Sequence, residues 1–351
     1  MKKAPLLSII IAVYNTGGEA AGCVLKDCLN SILLQDVSKE LFEVVCVNDG
    51  STDNSLEVLQ EYASKFENIV IVDQKNAGVG GAKNTGIENA SGKYLWLINS
   101  DDCIKNGSLR CITDMLLNLS PDIIRVKLKN ISEDVFDFNK VLEFKENTYK
   151  QKVGYIQPPS DDVTSIIRSD IMNEHKIRFL PGTVYHSDRL LFVQYYLNIN
   201  FQNNYEIQET VYLRRQRSVS ETGRVRYSVK AKNQYVKDSI TMAKEYHEIL
   251  NHQNIENSYL REFVQSQQYF FTEVAIVSIP SSTYDRRETM SYLKEIGVYP
   301  YPFLWKNIKK AKGFRNRIIV FLKCFFKYEW IYNIFCFCQS NRNKSAKIER
   351  T

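Results

Sequence analysis

Apolar residues form short continuous runs along the first part of the chain, and each run is followed by a stretch with helical spacing. The runs predict strands at residues 6–14, 42–47, 69–72 and 93–98; the helical patterns lie at 25–34, 55–66 and 80–90. Strands that are apolar throughout are typical of a parallel sheet with helices on both faces. The pattern therefore predicts an α/β fold built on a mostly parallel sheet.

The pattern becomes mixed after Pro121 and helical from about Ser228. Between them, strands are predicted at 122–129 and 205–213 and helices at 163–174 and 186–197. We expect an α/β domain at 1–225, with halves at 1–120 and 121–225. A helical region at 226–302 and a C-terminal segment at 303–351 would follow.

Composition excludes several other classes of protein. The chain has 351 residues, of which 44% are hydrophobic and only 15 are Gly and 8 are Pro, so neither disorder nor a collagen-like repeat is expected. Eight cysteines without a CxxC pair are too few for a disulfide scaffold, which favours the reducing cytoplasm. The N-terminal apolar run has no small-residue cleavage pattern after it, so we interpret it as a strand and not as a signal peptide.

Polar residues collect directly after three of the predicted strands, at 14–15, 48–53 and 99–102. Ligands of open parallel sheets bind beyond the carboxyl ends of the strands. In the NDGSTD segment at 48–53, Asp49 is placed to accept a hydrogen bond from a pyrimidine base or a ribose hydroxyl. A plain strand–turn–helix connection with a helix cap is the alternative interpretation.

The glycine-rich segment at 76–86 contains neither a GxGxxG motif directly after a strand nor a P-loop. Lys83, one turn into the predicted helix, can still approach a phosphate; loop flexibility is the alternative.

Asp101 and Asp102 end an apolar strand, where adjacent carboxylates repel each other unless they are solvated, cap a helix or bind a cation. Two hypotheses stay open: an Mg²⁺ or Mn²⁺ that bridges a diphosphate, or a cap of a helix that begins near Lys105.

Four segments, at 8–15, 47–53, 76–86 and 92–102, together resemble the family 2 glycosyltransferases in order and spacing. The resemblance is strong over residues 6–110 and looser to about residue 220. It implies the GT-A fold, inverting transfer from a nucleotide-diphosphate donor (a UDP-sugar above all), and Mn²⁺ or Mg²⁺ as cofactor. The acceptor it implies is a growing, lipid-linked cell-surface glycan.

The resemblance also implies roles for single residues. Tyr14 would lie against the nucleobase, Asp49 would bind it, Lys83 stands where the family usually has Arg, and Asp101 would be the metal ligand. Ala12 replaces a usual Pro, and Asn99 replaces the first Asp of the metal motif. The full set expected to contact the nucleotide sugar is Ala12, Tyr14, Asn15, Asp49, Gly50, Ser51, Asn76, Lys83, Asn99, Ser100 and Asp101.

An inverting transferase needs a carboxylate that takes the proton of the acceptor hydroxyl. The family carries it in a Glu-Asp pair that opens a helix; here Ser187 replaces Glu, so Asp188 is the candidate base. A cap of the helix that follows is the alternative for Asp188, and His186 is either a second metal ligand or structural.

Three arginines lie close together further along the chain: Arg214, Arg215 and Arg217. Their guanidinium groups suit a diphosphate or a phospholipid-linked acceptor. The alternative is a solvated end of a strand.

Two other functions remain open at this stage. A non-catalytic nucleotide-sugar-binding partner in a glycan-synthesis complex is favoured by Asn99 and Ser187. A sugar nucleotidyltransferase would carry a basic glycine-rich signature after the first strand, whereas no Lys or Arg occurs between that strand and Lys26. A nucleic-acid partner is not expected, because the basic residues do not follow an aromatic sheet face.

The net charge of +6 is matched by six basic residues between Lys306 and Arg317. The apolar run that follows is interrupted by charges, which makes it a poor transmembrane span. A basic, aromatic-rich amphipathic segment fits an anionic membrane surface; packing on the catalytic domain is the alternative. We therefore expect a peripheral protein at the cytoplasmic face of the membrane, bound through residues 303–351.

This expectation is tested by co-sedimentation of the chain with anionic liposomes, with and without residues 303–351. The shortened chain is expected to stay in the supernatant, because it has lost both the basic cluster and the apolar face. Equal binding of the two proteins would contradict the membrane interpretation.

Overall fold

The computed structural model describes residues 4–18, 24–132, 144, 149–154, 157–159, 161–216 and 228–299. The predicted membrane segment at 303–351 and Arg217 lie outside these ranges, as does the predicted domain boundary at 225. Both the membrane segment and the boundary stay predictions.

The first half of the described chain confirms the predicted alternation of strands and helices. Four parallel strands lie side by side in the order β3-β2-β1-β4. Their bounds are Leu7–Val13 (β1), Phe42–Asp49 (β2), Ile69–Gln74 (β3) and Tyr94–Asn99 (β4), and the helices between them are Val24–Leu33 (α1), Ser55–Ala63 (α2) and Gly78–Asn89 (α3).

The sheet continues past β4 with strands of mixed direction. β8 lies antiparallel between β4 and β6, and β9 is parallel to β6 and antiparallel to β5 and β7. The sheet is therefore mixed rather than parallel throughout. These elements are Cys103–Ile104 (β5), Ser108–Leu119 (α4), Ile123–Ser132 (β6), Tyr149–Gln151 (β7), Ser165–Arg168 (β8), Ser169–Glu174 (α5), Ser187–Tyr196 (α6) and Asn204–Gln216 (β9).

The helix predicted at 163–174 is wrong in its first half. A 3₁₀ turn at Asp162–Thr164 leads into β8, and only α5 is helical. Ile166 belongs to the hydrophobic cluster on one face of the sheet and Ile167 to the cluster on the other. Side chains that alternate between two buried faces require a strand. The sequence pattern did not show this alternation because both positions are apolar.

The helices after residue 228 are Val229–His252 (α7), Ser258–Ser278 (α8) and Arg286–Glu295 (α9). Met242 and Tyr246 of α7 and Phe271 of α8 belong to the same buried cluster as Ile10 of β1 and Leu191 of α6. The C-terminal helices thus cover one face of the sheet. Within the described ranges, no helix is both long and apolar enough to cross a membrane.

The glycine-rich helix α3 packs closely against the sheet through Gly86. A Cβ atom at Gly86 would lie 2.3 Å from Cγ2 of Ile10 and 3.5 Å from Cγ2 of Val47. The helix therefore approaches β1 and β2 more closely than any other residue at this position would allow. This glycine serves the packing of the helix on the sheet.

We expect Gly86→Val to lower the free energy of unfolding by about 1–3 kcal/mol, because the added side chain overpacks the contact with Ile10. Urea unfolding followed by circular dichroism measures the change. Glu88→Val is the control, since Glu88 is exposed on the same helix and should change stability by about 0.5 kcal/mol or less. Equal effects of the two substitutions would contradict the packing role.

Candidate functional site

A cavity of about 880 Å³ opens between the end of β4 and the start of α6. Asp101 and Asp188, which lie 87 positions apart in the sequence, both line it. The other residues predicted for the site that line this cavity are Lys83, Asn99, Arg214 and Arg215. The structure therefore brings the candidate metal ligand, the candidate base and two of the three predicted arginines into one space.

Asp102, beside the candidate metal ligand, is buried in a hydrogen-bond network between β4 and β9. Its Oδ2 accepts from the hydroxyl of Tyr212 (2.7 Å) and from Nδ2 of Asn99 (3.1 Å), and its Oδ1 accepts from the backbone N–H of Arg215 (2.9 Å). Burial, and then the negative charge of Asp101, raises the pKa of Asp102 to about 6, and these hydrogen bonds oppose the rise. Both aspartates line the cavity, and Asp102 also joins two strands.

Neither aspartate caps a helix, which removes the alternative considered for this pair. The next helix, α4, begins at Ser108 with Gly107 as its N-cap residue. The strand β5 lies between Asp102 and that helix.

Lys83 reaches the cavity, but its ammonium group is already paired. Its Nζ lies 2.6 Å from Oδ2 of Asp162 and 3.2 Å from Oδ1 of Asn99, and the side chains of Lys83 and Asp162 are both nearly buried. Asn99 therefore accepts from Lys83 and donates to Asp102. An aspartate at position 99 cannot do both, because its carboxylate has no hydrogen to donate.

Asp188 lies in the first turn of α6, with its Oδ1 accepting the backbone N–H of Arg189 at 2.9 Å. The N-cap position belongs to His186, so Asp188 is not the cap. Burial raises the pKa of Asp188 to about 7, and the neighbouring Asp162 carboxylate adds to the rise. A carboxylate with a pKa near neutral pH suits a general base.

His186 adopts a left-handed backbone conformation (φ 71°) and lies among aromatic rings. Its ring centroid is 5.0 Å from those of Tyr235 and Phe271, and its buried Nε2 has no hydrogen-bond partner among the described residues. Burial lowers the pKa of His186 to about 4, so the ring is neutral at pH 7. This environment favours the structural interpretation of His186.

The remaining described residues predicted for the site lie at the ends of β1 to β4 and are not among those that line the cavity. The backbone N–H of Asn15 donates to Oγ of Ser51 (3.1 Å), and Oδ1 of Asp49 accepts from the N–H of Ala77 (2.8 Å). The ring of Tyr14 is about half exposed. Other members of this group connect the same strand ends: Asn76 donates to the Asp49 carbonyl, Gly50 has φ +69°, Ser100 accepts from Thr16, and Ala12 pairs with Val47 and Asn99.

The two described arginines of the basic cluster are both held in ion pairs. Arg214 lies 2.9 Å from Asp161, and Arg215 lies 2.7 Å from Asp27. Arg215 also donates from Nε to the carbonyl of Asp101 at 3.2 Å. Arg214 is partly exposed in the cavity, whereas Arg215 is buried and braces the backbone of the candidate metal ligand.

The donor set fits a divalent cation of the oxygen-binding class. The described residues contain no group of three or more His, Cys, Asp or Glu side chains that could hold a metal by themselves. Mg²⁺ is often bound by one or two carboxylates together with substrate phosphates and water, so such a group is not required. Both oxygens of Asp102 accept hydrogen bonds from the protein, and Asp101 stays the candidate ligand predicted from the sequence.

Sequence reasoning did not find several residues that build the site. Tyr212 opens the basic stretch that was singled out for its arginines, but no role was predicted for Tyr212 itself, and Asp161 and Asp162 lie directly before the helix predicted at 163–174. Tyr235, on α7, has no signal in its local sequence. Asp161, Asp162 and Tyr235 line the cavity, whereas Tyr212 contributes through its hydrogen bond to Asp102.

Comparison with known proteins agrees with this geometry. A family profile described as glycosyl transferase family 2 matches residues 8–175. Residues 8–175, just under half of the chain, are therefore similar to this family. A poly(ribitol-phosphate) beta-glucosyltransferase of Bacillus spizizenii is 35% identical over 128 residues, which are 36% of this chain and 19% of that protein. The poly(ribitol-phosphate) beta-N-acetylglucosaminyltransferase TarS of Staphylococcus aureus is 26% identical over 199 residues, 55% of this chain and 33% of TarS.

Solved structures of this fold cover more of the chain. Residues 1–349 of S. aureus TarS in complex with UDP-GlcNAc align with 93% of this chain and 90% of that one, with a TM-score of 0.62 and 17% identity. The mannosyltransferase PcManGT from Pyrobaculum calidifontis, in complex with GDP-Man and Mn²⁺, aligns with 96% of this chain and 87% of its own, with a TM-score of 0.53 and 13% identity. These similarities show the GT-A fold. The chain spans a third or less of the length of the two curated relatives above.

The Asp102 network leads to a stability prediction. Tyr212→Phe removes a hydroxyl that donates to Asp102 and accepts the backbone N–H of Asn99. We expect the free energy of unfolding to fall by about 1–3 kcal/mol, because buried partners lose a hydrogen bond. Urea denaturation at pH 7 measures this change.

Tyr246→Phe is the matched control. Tyr246 is also fully buried, but its hydroxyl has no hydrogen-bond partner among the described residues. Its removal is expected to leave stability unchanged or to raise it. A loss of stability in Tyr246→Phe as large as that in Tyr212→Phe would show that the network contributes nothing specific.

Proposed function

We propose that this chain is an inverting glycosyltransferase that moves a sugar from a nucleotide-diphosphate donor to a growing cell-surface glycan. The proposal rests on one observation: the same cavity is lined by Asp101 and by Asp188. Asp101 follows the end of β4, and Asp188 lies in the first turn of α6. A donor held at Asp101 would bring its anomeric carbon into the cavity that the buried carboxylate of Asp188 also lines. This is the arrangement that in-line displacement needs.

In the proposed reaction, the acceptor hydroxyl oxygen attacks the anomeric carbon and forms the new glycosidic bond. The bond from that carbon to the diphosphate oxygen breaks, and the diphosphate leaves with the electron pair. The acceptor proton passes to the carboxylate of Asp188, whose raised pKa makes it a competent base near pH 7.

Donor binding is proposed to rest on Asp101 and on the residues at the ends of β1 and β2. A divalent cation held there would supply positive charge against the diphosphate. The structures of TarS with UDP-GlcNAc and of PcManGT with GDP-Man and Mn²⁺ support a nucleotide-sugar donor with such a cation. A UDP-sugar, and a lipid-linked acceptor at the cytoplasmic face of the membrane, are parts of our proposal.

The central test is release of UDP from UDP-sugars in the presence of Mn²⁺ and a glycan acceptor. We expect Asp188→Asn to lower kcat by about 10²–10⁴-fold, because the amide cannot take the proton. Donor affinity in a thermal-shift titration should survive in Asp188→Asn but be lost in Asp101→Ala. Full transfer by Asp188→Asn would overturn the assignment of the base, and no UDP release by the wild type would favour a non-catalytic binding partner.

The raised pKa of Asp188 leads to a prediction for the pH dependence of kcat/KM. Since Asp188 must be ionised, the wild-type rate should fall about tenfold per pH unit below about 7. A carboxyl whose pKa is raised by folding is destabilising above its unfolded pKa, so Asp188→Asn should unfold at an equal or higher urea concentration than the wild type at pH 8. An inactive variant that is also less stable would point to misfolding instead.

A further inference from the structure

A buried carboxylate on α7 contacts the loop that carries the candidate base. Asp238 is 0% exposed, and its Oδ2 accepts the backbone N–H groups of Val184 (2.8 Å) and Tyr185 (2.9 Å). Its Oδ1 accepts from Nε2 of Gln234 (2.7 Å), which also donates to the carbonyl of Gly182 (3.1 Å). Two side chains of α7 therefore bind three backbone groups of one short loop.

The loop runs directly into the catalytic end of α6. His186 follows Tyr185 in its left-handed conformation, and Asp188 lies two residues further on. Tyr235, one turn before Asp238 on α7, has its ring centroid 5.4 Å from that of Tyr185 and 5.0 Å from that of His186. The same face of α7 thus holds the loop by hydrogen bonds and by edge-to-face ring contacts.

Burying a carboxylate costs free energy unless hydrogen bonds compensate for it. No cation within salt-bridge distance of Asp238 is seen among the described residues, and burial raises the pKa of Asp238. The compensation comes mainly from the two loop N–H groups and Gln234, which act as charge-assisted donors. The position of the loop and the burial of this carboxylate therefore depend on each other.

We propose that Asp238 is a positioning residue, which fixes the loop at 182–186 and through it the place of Asp188 in the cavity. The catalytic part of this inference rests on the proposed function. Asp238 lies beyond both the matched family region at 8–175 and the transferase domain predicted at 1–225. The site is thus incomplete without α7.

The test compares Asp238→Ala with Asp238→Asn in the full chain. We expect Asp238→Ala to lower kcat about 10–100-fold, because misplacement of a catalytic group by about 1 Å has an effect of this size. The donor KM should stay within about twofold, since the residues proposed to bind the donor are untouched. Asp238→Asn should recover part of the rate, because its amide oxygen can still accept both loop N–H groups, whereas its amide nitrogen cannot accept from Gln234.

Ser239→Ala is the matched control. Ser239 is equally buried on α7, and its hydroxyl donates to the carbonyl of Tyr235 without touching the loop. Equal losses of kcat in Asp238→Ala and Ser239→Ala would overturn the proposal, as would an unchanged kcat in a folded Asp238→Ala protein. If Asp238→Ala does not fold, Gln234→Ala tests the same contact through the Gly182 carbonyl.

A second measurement follows the environment of Asp188 through the pH profile. In Asp238→Ala, a loosened loop should let water reach Asp188, so the acid limb of kcat/KM should move below pH 7. An acid limb that stays in place would contradict the positioning role. The charged and titratable groups that face Asp188 are Asp161 and Asp162 before β8, Lys83 of α3, Arg189 of α6 and Tyr246 of α7.

Hydrogen exchange separates this inference from the proposed function. The amides of Val184 and Tyr185 should exchange at least about tenfold faster in Asp238→Ala than in the wild type or in Ser239→Ala. This readout needs no activity, so it stays informative if the wild type transfers no sugar. Unchanged protection of both amides would overturn the proposal by itself.

Discussion

Hydrogen bonds to the buried carboxylate of Asp102 connect the end of β4 to β9, and the cavity lies where these two strands are held together. A buried charge is tolerated only when its oxygens are well bonded. Asn99, Tyr212 and Arg215 supply these bonds from two distant parts of the chain. Since Asp101 directly precedes Asp102 in the sequence, these hydrogen bonds also determine the position of the candidate metal ligand.

The same cavity brings together carboxylates that would repel one another in the absence of compensation. Asp162 is paired with Lys83, and Asp161 is paired with Arg214. No ion pair of Asp188 is seen among the described residues, and burial beside Asp162 raises its pKa. Asp161 and Asp162 thus serve as structural ion-pair partners, whereas the raised pKa of Asp188 suits it to take a proton.

Parts of this site were predictable because they depend on local order in the chain. Asp101 follows an apolar strand, and Asp188 opens an apolar helix, so both could be placed at element ends without a structure. Lys83 was predicted to approach a nucleotide, but its pairing with Asp162 was not predicted, because Asp162 lies in a 3₁₀ turn outside every element that the sequence pattern indicated. Nothing in the sequence near Asp238 indicates a contact with the loop at 182–186.

The sequence by itself determined the strands and helices of the first hundred residues, the family resemblance and the residue types available for chemistry. These follow from periodic burial and from motifs that each lie within about ten residues. Only the tertiary structure decided that Asp102 is a structural acceptor, that Asn99 bridges Lys83 and Asp102, and that α7 holds the loop before Asp188. These features arise from hydrogen bonds across 16 to 113 sequence positions, except for the Asn99–Asp102 bond. Such bonds form only when packing brings distant groups together, and burial then makes each unpaired group costly.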